Sequence, residues 1–371
     1  MHTFKTVDRL ITGPGCFEQL GELAKELGGC ALIVTGTRAM REAGVTDRAC
    51  ELLKGKGVEP RLFEEIAGEP TDAQVDAGRQ ICREERCDLV IGIGGGSPVD
   101  AAKAIAALTG SGVPTAQYVQ GRAADAETLL PCVAIPTTSG TGAEVTPNAV
   151  ISYPAGAVKA SVRGAGVLPK LALVDPDLTL TCPPNVTAAS GLDALTQAIE
   201  SYVSIHATPV TAALSFQAAQ LLLANLPGAF DDGGDRAARE ACAYGSVMAG
   251  VALANARLGV VHGMAHPLGI RHHIPHGLCC GVLLPASIRL NRAAAAEKFD
   301  RLSHAARDDI DLVVERMLDK FGIPRTFTEY NIPQSDFPVI AEESMPSGSL
   351  KANPKKVAAE DVINILRQVA G

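Results

Sequence analysis

Three histidines and an aspartate have the spacing of a metal site. Asp193 and Gln197 are four residues apart in a segment of helical character, so their side chains share one face. His262 and His266 repeat this spacing, and His276 follows at the expected start of another helix. A carboxylate among apolar neighbours needs a partner, and carboxylate with imidazole is a donor set for iron or zinc. The pattern favours a divalent metal site over separate core histidines.

The cysteines point to a reducing compartment. All ten lie between Cys16 and Cys280 without a C-x-x-C pair, which is typical of free thiols in a large cytoplasmic protein. The adjacent Cys279 and Cys280 follow His276, and we expect them to pack inside a helix. A thiolate ligand at this place is the weaker interpretation.

Two polar turns follow apolar runs and offer backbone amides to an anion. The first, Gly94-Gly95-Gly96-Ser97, leads to Asp100; its glycines allow a ligand to approach the backbone, and Ser97 is expected to cap the next helix. The free amides of a helix start favour phosphate. Taken alone, this turn fits a plain strand-to-helix connection equally well. The second turn, which carries the hydroxyls of Thr137, Thr138 and Thr141, shifts the prediction to a nucleotide site.

The elements that position these residues change character along the chain. β-Branched runs at 31–34, 88–93, 132–135 and 171–174 alternate with helical patterns, which predicts a parallel α/β sheet. After about residue 177, Ala-rich helical segments follow one another. We therefore predict an α/β domain over 1–178 and an all-helical domain over 179–371.

Composition excludes several classes of protein. The 371 residues are 47% hydrophobic and 20% charged, which indicates a globular fold. With 33 Lys and Arg against 41 Asp and Glu, the net charge of -8 argues against a nucleic-acid partner. No run approaches the roughly 18 apolar residues of a membrane span. A cytoplasmic, soluble protein without a membrane partner is expected.

Five motifs, in order over nearly the whole length, resemble those of the iron-containing (group III) alcohol dehydrogenases. They are residues 94–100, 137–144, 193–196, 262–269 and 275–277. A further match, Ala352-Asn353-Pro354-Lys355, is similar to the family's Asn-Pro-Arg. The resemblance implies a Rossmann-like domain that binds NAD or NADP, a helical metal and substrate domain, and a catalytic metal in the cleft between them.

The resemblance also assigns the cofactor residues. The pyrophosphate would lie on Gly94 to Ser97, with Asp100 in the same site and Thr137, Thr138 and Thr141 along the cofactor. Lys159 matches a family lysine near the nicotinamide.

The metal ligands that the resemblance implies show one departure. The family uses an Asp, a His four residues later and two further His; Asp193, His262 and His276 match, but the second position is Gln197. An amide oxygen is a neutral and weaker donor than imidazole, so a transition metal should be held less tightly. His266 matches a family histidine that lines the site without binding metal, and we expect it to relay a proton to the alkoxide.

The expected function is the NAD(P)-dependent interconversion of a small primary alcohol and an aldehyde, with the metal as a Lewis acid. The alternative is a metal-independent reductase of a keto or unsaturated acid, as in the maleylacetate reductases, for which Arg163, Arg257 and Arg271 would bind the anion. A lyase of the dehydroquinate synthase type is a weaker alternative, because its metal carboxylate is a Glu. A catalytically silent nucleotide-binding relative is weaker still.

Two further expectations concern the cofactor and assembly. Gly36 stands where several NAD-specific relatives carry Asp, and Thr37 and Arg38 can contact a 2′-phosphate, so NADP(H) should be accepted. Arg38 as a solvated surface residue is the alternative. The alternating segment Thr3-Phe4-Lys5-Thr6-Val7 predicts an edge strand that pairs across a two-fold axis in a homodimer.

Overall fold

A computed structural model describes residues 2–124, 126, 130–156 and 158–371. The described chain divides into two compact units. The sheet unit comprises the described residues of 6–138 and 142–182. The helical unit comprises 183–371, together with the short segments 2–5 and 139–141. A parallel α/β unit followed by a large helical unit confirms the predicted fold class.

Six strands of the sheet unit form one parallel sheet in the order β1-β8-β5-β4-β2-β3, and β6 and β7 form an antiparallel hairpin. The strands are β1 (Arg9–Thr12), β2 (Cys30–Gly36), β3 (Glu59–Ile66), β4 (Leu89–Gly94), β5 (Cys132–Pro136), β6 (Asn148–Tyr153), β7 (Val158–Arg163) and β8 (Leu171–Val174). The strand order reverses between β2 and β4. The chain passes from β2 to β3 at one edge of the sheet and then returns to form β4 on the other side of β2.

Helices cover both faces of this sheet. They are α1 (Leu20–Lys25), α2 (Ala39–Glu42), α3 (Val45–Lys54), α4 (Asp72–Glu84), α5 (Gly96–Leu108) and α6 (Thr115–Val119). Ile33 and Ile91 pack in one apolar cluster with residues of α1 and α3, whereas Leu32 and Val90 pack in another with residues of α4 and α5. Because both faces of β2, β4 and β5 are buried, their sequences read as continuous apolar runs.

The helical unit packs nine α-helices around one large apolar core among the described residues. They are α7 (Pro184–Val203), α8 (Pro209–Asp231), α9 (Arg236–Ala256), α10 (Val260–His272), α11 (His276–Asn291), α12 (Ala296–Ala306), α13 (Ile310–Lys320), α14 (Phe337–Ser344) and α15 (Ala359–Val369). The core is mostly Ala, Leu, Ile and Val, and small residues let helix axes approach closely.

Residues 3–7, predicted to form an edge strand, pair with no strand of this chain, and their pairing with a second copy stays a prediction. This segment has no regular secondary structure, and the edge strand of the sheet is β1, which pairs with β8. A side chain of α9 binds the backbone of this segment. Asn255 accepts a hydrogen bond from the amide of Lys5 (2.7 Å) and donates one to its carbonyl oxygen (2.8 Å), in place of a neighbouring strand.

No single helix in the described part of the chain has both the length and the apolar character needed to cross a membrane. The consecutive helices α9 and α10 pass that test only as a pair, and they are bent by 99° at their junction.

Candidate metal centre and cofactor loops

Three helices of the helical unit bring four metal-binding side chains together. Asp193 lies in α7, His262 near the start of α10, and His276 and Cys280 lie one turn apart in α11. One donor atom from each side chain lies within 4.8 Å of the others. Asp193, His262 and Cys280 are buried, and His276 is partly exposed. The three predicted ligands are therefore neighbours, and a thiol joins them.

The distances between the donor atoms fit one bound ion. Asp193 Oδ1 lies 3.2 Å from His262 Nε2 and 3.6 Å from His276 Nε2. Cys280 Sγ lies 3.8 Å from His262 Nε2 and 3.7 Å from His276 Nε2. Donors bound at about 2.0 to 2.3 Å around a tetrahedral ion are roughly 3.3 to 3.8 Å apart. The residues present thus fit a divalent metal.

The electrostatics of the cluster favour a cation. Burial opposes ionisation of Asp193, but the facing His276 and His262 and the amide of Gln197 together lower the pKa of Asp193 to about 2. Burial lowers the pKa of His262, yet the neighbouring Cys280, Asp193 and Glu200 outweigh it and raise that pKa well above its ordinary value. Negative charge therefore accumulates where a metal ion would supply the compensating positive charge.

Glu200 holds His262 in position, and this residue was not predicted from the sequence. His262 Nδ1 donates to Glu200 Oε2 over 2.7 Å, which leaves Nε2 to face the cluster. The same carboxylate accepts hydrogen bonds from the backbone amides of Gly259 (2.9 Å) and Val261 (2.7 Å) at the start of α10. Glu200 is two helical turns after Asp193 on α7, so helical spacing was the available signal.

Gln197 contacts the cluster through its amide nitrogen. Nε2 donates to Asp193 Oδ2 over 3.0 Å, while the residue is only 3% exposed. Its Oε1 is buried and finds no hydrogen-bond partner among the residues that the structure describes. As predicted, Gln197 shares a helical face with Asp193. Its role as a ligand stays a prediction.

His266 lies beside the metal ligands on α10. Its ring centroid is 5.8 Å from that of His276, with the two rings edge to face, and the residue is partly exposed. A partly exposed imidazole next to the cluster can exchange protons with solvent. Its role as the proton relay stays a prediction.

Three predicted cofactor segments follow adjacent parallel strands of the sheet unit. Gly36, Thr37 and Arg38 come at the end of β2, Gly94 to Ser97 at the end of β4, and Thr137 and Thr138 directly after β5. These strands are neighbours in the sheet, so the segments share its carboxyl edge. Because the strand order reverses between β2 and β4, this edge is where open α/β sheets bind their ligands.

The turn after β4 differs from its predicted form in one detail. Gly95, not Ser97, is the N-cap of α5, and no side chain caps this helix. The helix starts earlier than expected because Gly94 adopts φ +146°, where a Cβ would also lie 2.8 Å from the ring of Pro98. The uncapped amides at Gly96 and Ser97 are partly exposed, which suits an anion.

Asp100 is engaged by the protein. Its carboxylate accepts hydrogen bonds from the ammonium group of the fully buried Lys103 (3.0 Å) and from the backbone amide of Val150 (3.0 Å). Lys103 also donates to the carbonyl oxygens of Ala143 (2.7 Å) and Asn148 (2.5 Å). This ion pair ties α5 to the chain after β5. Direct contact of Asp100 with a cofactor stays a prediction.

Of the remaining predicted cofactor residues, Thr141 belongs to the helical unit and the others to the sheet unit. The amide of Thr137 donates to the carbonyl oxygen of Gly94 over 2.8 Å and joins two of the turns. Thr141 is exposed. Arg38 donates to Glu42 through two nitrogens (3.1 and 2.9 Å) on the surface, and Lys159 of β7 pairs with Glu69.

Comparison with known proteins defines the class. The profile described as "Iron-containing alcohol dehydrogenase" matches residues 8–176, and "Fe-containing alcohol dehydrogenase family, C-terminal" matches residues 187–370. The chain therefore belongs to the iron-containing alcohol dehydrogenase family. The expected enzyme class, an NAD(P)-linked oxidoreductase that acts on alcohols and aldehydes, is confirmed.

Individual relatives are similar over almost their whole length. The chain is 36% identical to the 1,3-propanediol dehydrogenase of Klebsiella pneumoniae, with 96% of this chain and 95% of the relative covered. It is 33% identical to the NAD-dependent methanol dehydrogenase of Bacillus methanolicus, covering 96% and 97%. A crystal structure of a 1,3-propanediol oxidoreductase superposes with a TM-score of 0.94 at 34% identity, covering 99% of both chains.

Proposed function

We propose that this enzyme interconverts small primary alcohols and aldehydes with a divalent ion at Asp193, His262 and His276. The observation that carries the proposal is the buried cluster whose donor distances fit one ion. The relatives support the substrate class, since methanol and 1,3-propanediol are both small primary alcohols.

Each partner in the reaction has a defined task. When bound, the ion would supply Lewis-acid polarisation of the substrate oxygen, and the nicotinamide cofactor would supply hydride-transfer chemistry. Asp193, His262 and His276 hold the ion, and Glu200 keeps the proton of His262 on Nδ1, so that Nε2 presents its lone pair. His266 moves a proton between a ring nitrogen and the solvent as the substrate oxygen gains or loses it.

NADP(H) is the preferred cofactor in this proposal. Gly36 at the end of β2 carries no carboxylate that would repel a 2′-phosphate, and Thr37 and Arg38 beside it are exposed. Arg38 pairs with Glu42, but both side chains are mostly exposed, and such pairs contribute only about 0 to 1 kcal/mol. A phosphate can therefore replace Glu42 as the partner of Arg38 at little cost.

The proposed enzyme is a cytoplasmic homodimer. All ten cysteines lie outside disulfide bonds, which supports a reducing compartment. Edge strand β1 carries the exposed Leu10 and has β8 as its single neighbouring strand among the described residues, which supports association with a second copy. Light scattering at micromolar protein should give the mass of two chains, and a strict monomer would contradict the proposal.

A cofactor-oxidation assay tests the activity. The metal-loaded enzyme is given NADPH or NADH with a panel of small aldehydes and, separately, with keto and unsaturated acids. We expect turnover of aldehydes, with NADPH at least as efficient as NADH. An efficiency about tenfold higher with NADH would remove the cofactor preference, since that ratio corresponds to roughly 1.4 kcal/mol of discrimination. Turnover of the acids alone would replace the alcohol dehydrogenase reaction with that of a keto-acid reductase.

A further inference from the structure

We infer that the Cys280 thiolate is the fourth ligand of the metal and that the site is selective for zinc over iron. The inference rests on the proposed metal-dependent function, which it deepens. It concerns the position at which this chain departs from the expected set of three histidines and one aspartate. Gln197, in turn, holds Asp193 in place without binding the metal.

The geometry of Cys280 supports coordination. Its sulfur lies within 3.7 to 3.8 Å of Nε2 of both histidines, the separation expected of sulfur and nitrogen bound to one tetrahedral ion. It is one helical turn after His276 on α11, so both side chains leave the helix on the same face. Cys280 is fully buried, which shields the sulfur from bulk solvent. On binding, the thiol proton leaves to solvent as the sulfur–metal bond forms.

The geometry of Gln197 argues against coordination by its amide. Nε2 donates to Asp193 Oδ2, and the other oxygen of that carboxylate, Oδ1, faces the two histidines. Exchanging the amide atoms would place Oε1 3.0 Å from a carboxylate oxygen, where two acceptors repel each other. The amide nitrogen of Gln197 therefore orients the aspartate, and the fourth donor of the cluster is the sulfur of Cys280.

The donor set then decides between the metals. One thiolate, two imidazoles and one carboxylate in tetrahedral arrangement form a softer set than three imidazoles and one carboxylate, and this set suits Zn²⁺. Fe²⁺ binds a given set of such ligands more weakly than Zn²⁺. A site of this composition in an iron-containing family should accordingly retain zinc when both ions are offered.

Cobalt substitution tests the sulfur ligand directly. Co²⁺ replaces Zn²⁺ in tetrahedral sites, and a thiolate bound to it produces a charge-transfer band in the near ultraviolet. The metal-free full-length enzyme is titrated with Co²⁺ as wild type, Cys280→Ser and Cys279→Ala. The last variant removes the adjacent buried thiol and is the matched control. We expect the band in wild type and Cys279→Ala, and its loss in Cys280→Ser with at least about tenfold weaker binding.

Competition between metals provides the second measurement. Wild-type apoenzyme is given equal Zn²⁺ and Fe²⁺ without oxygen, and the bound metal is analysed. We expect zinc to exceed iron by at least about tenfold, the scale on which changes around a metal alter its affinity, and the excess to shrink in Cys280→Ser.

Each failure has a distinct meaning. Cobalt bound to wild type without the band, a band that persists in Cys280→Ser, or a site filled by iron overturns the inference and leaves the proposed activity intact. The wild-type spectrum needs no variant, so a misfolded Cys280→Ser does not remove the test. A metal-loaded wild type that oxidises no alcohol overturns the proposed function while the spectrum still reports on the sulfur.

Discussion

At the scale of single residues, the site depends on which of two side chains supplies the fourth donor. Gln197 and Cys280 are both buried, and the sulfur of Cys280 lies 3.7 to 3.8 Å from Nε2 of both His262 and His276, the separation that a shared ion requires. The amide instead binds the carboxylate. The two residues therefore differ in the direction in which their side chains point. Neither the residue type nor the spacing along the helix specifies this direction.

Replacing Gln197 by His in a Cys280→Ser background should restore the lost metal binding. The imidazole would stand one turn after Asp193 on the same face of α7 and complete a set of three histidines and one aspartate. We expect roughly a tenfold gain in affinity over Cys280→Ser, measured by competition with a chelator. The cobalt derivative should lack the sulfur band. A double variant that binds no better than Cys280→Ser would mean that position 197 does not face the metal.

The ligands were predictable from sequence to the extent that their chemistry is rare. A carboxylate and imidazoles at helical spacing among apolar residues are uncommon outside metal sites, so Asp193, His262 and His276 were identified as a group. A buried cysteine is usually a small apolar residue, and Cys280 was for that reason given the weaker interpretation as a ligand. Glu200 was missed because its partners, His262 and the start of α10, are distant in sequence.

At the scale of elements, the start of α10 depends on one residue of another helix. Glu200 accepts hydrogen bonds from two backbone amides at this helix start and from Nδ1 of His262. Asn353 Oδ1 accepts a hydrogen bond from the amide of Val260 over 3.2 Å. The cap of α10 and the orientation of a metal ligand are therefore the same set of hydrogen bonds.

Glu200→Gln should weaken both the cap of α10 and the hydrogen bond that orients His262. The new amide presents N–H groups where backbone N–H groups need an acceptor, so the helix start and His262 lose their fixed position. We expect metal affinity to fall by about 10- to 100-fold, the usual effect of removing a hydrogen bond that orients a metal ligand. Chelator competition measures this, with the exposed Glu342→Gln as the matched control. Equal affinity in the two variants would show that Glu200 does not position His262.

Elements buried on both faces were predictable, and those at the edges were not. Strands β2, β4, β5 and β8 read as apolar runs because the sheet interior surrounds them. Edge strand β3 is half polar, as the sequence EPRLFEEI shows, and it lacks that signal. The predicted start of α5 was too late in the sequence. The helix begins at Gly96 because Gly94 adopts a positive φ, which depends on tertiary structure and not on the local sequence.

At the scale of the whole molecule, one buried acid couples stability to pH. Glu144 is 3% exposed. Burial raises its pKa to about 7, against the opposing effects of its own backbone amide and of Lys103, while Asp100 adds to the rise. Because the pKa of Glu144 is raised by folding, its carboxyl group ionises at a lower pH in the unfolded chain than in the folded chain. The free energy of unfolding should therefore fall as pH rises between about 4.5 and 7, and this contribution should be level above that range.

Glu144→Gln should remove this dependence. The variant gains stability relative to wild type as pH increases from 5 to 8, by up to roughly 3 kcal/mol for a shift of this size. Urea unfolding at the two pH values measures the difference, and the exposed Glu51→Gln serves as the control. Parallel pH profiles for wild type and Glu144→Gln would show that Glu144 ionises normally in the folded chain.

A metal held by Asp193, His262 and His276 is, in this mechanism, required for alcohol oxidation. The most direct measurement compares NADP⁺ reduction with a small primary alcohol by one preparation before chelator dialysis, after it, and after adding back stoichiometric Zn²⁺, with bound metal determined at each stage. We predict that the rate falls to background with the metal and returns with it, and that His276→Ala is inactive throughout. Full activity in enzyme shown to be metal-free, retained in His276→Ala, would contradict this mechanism.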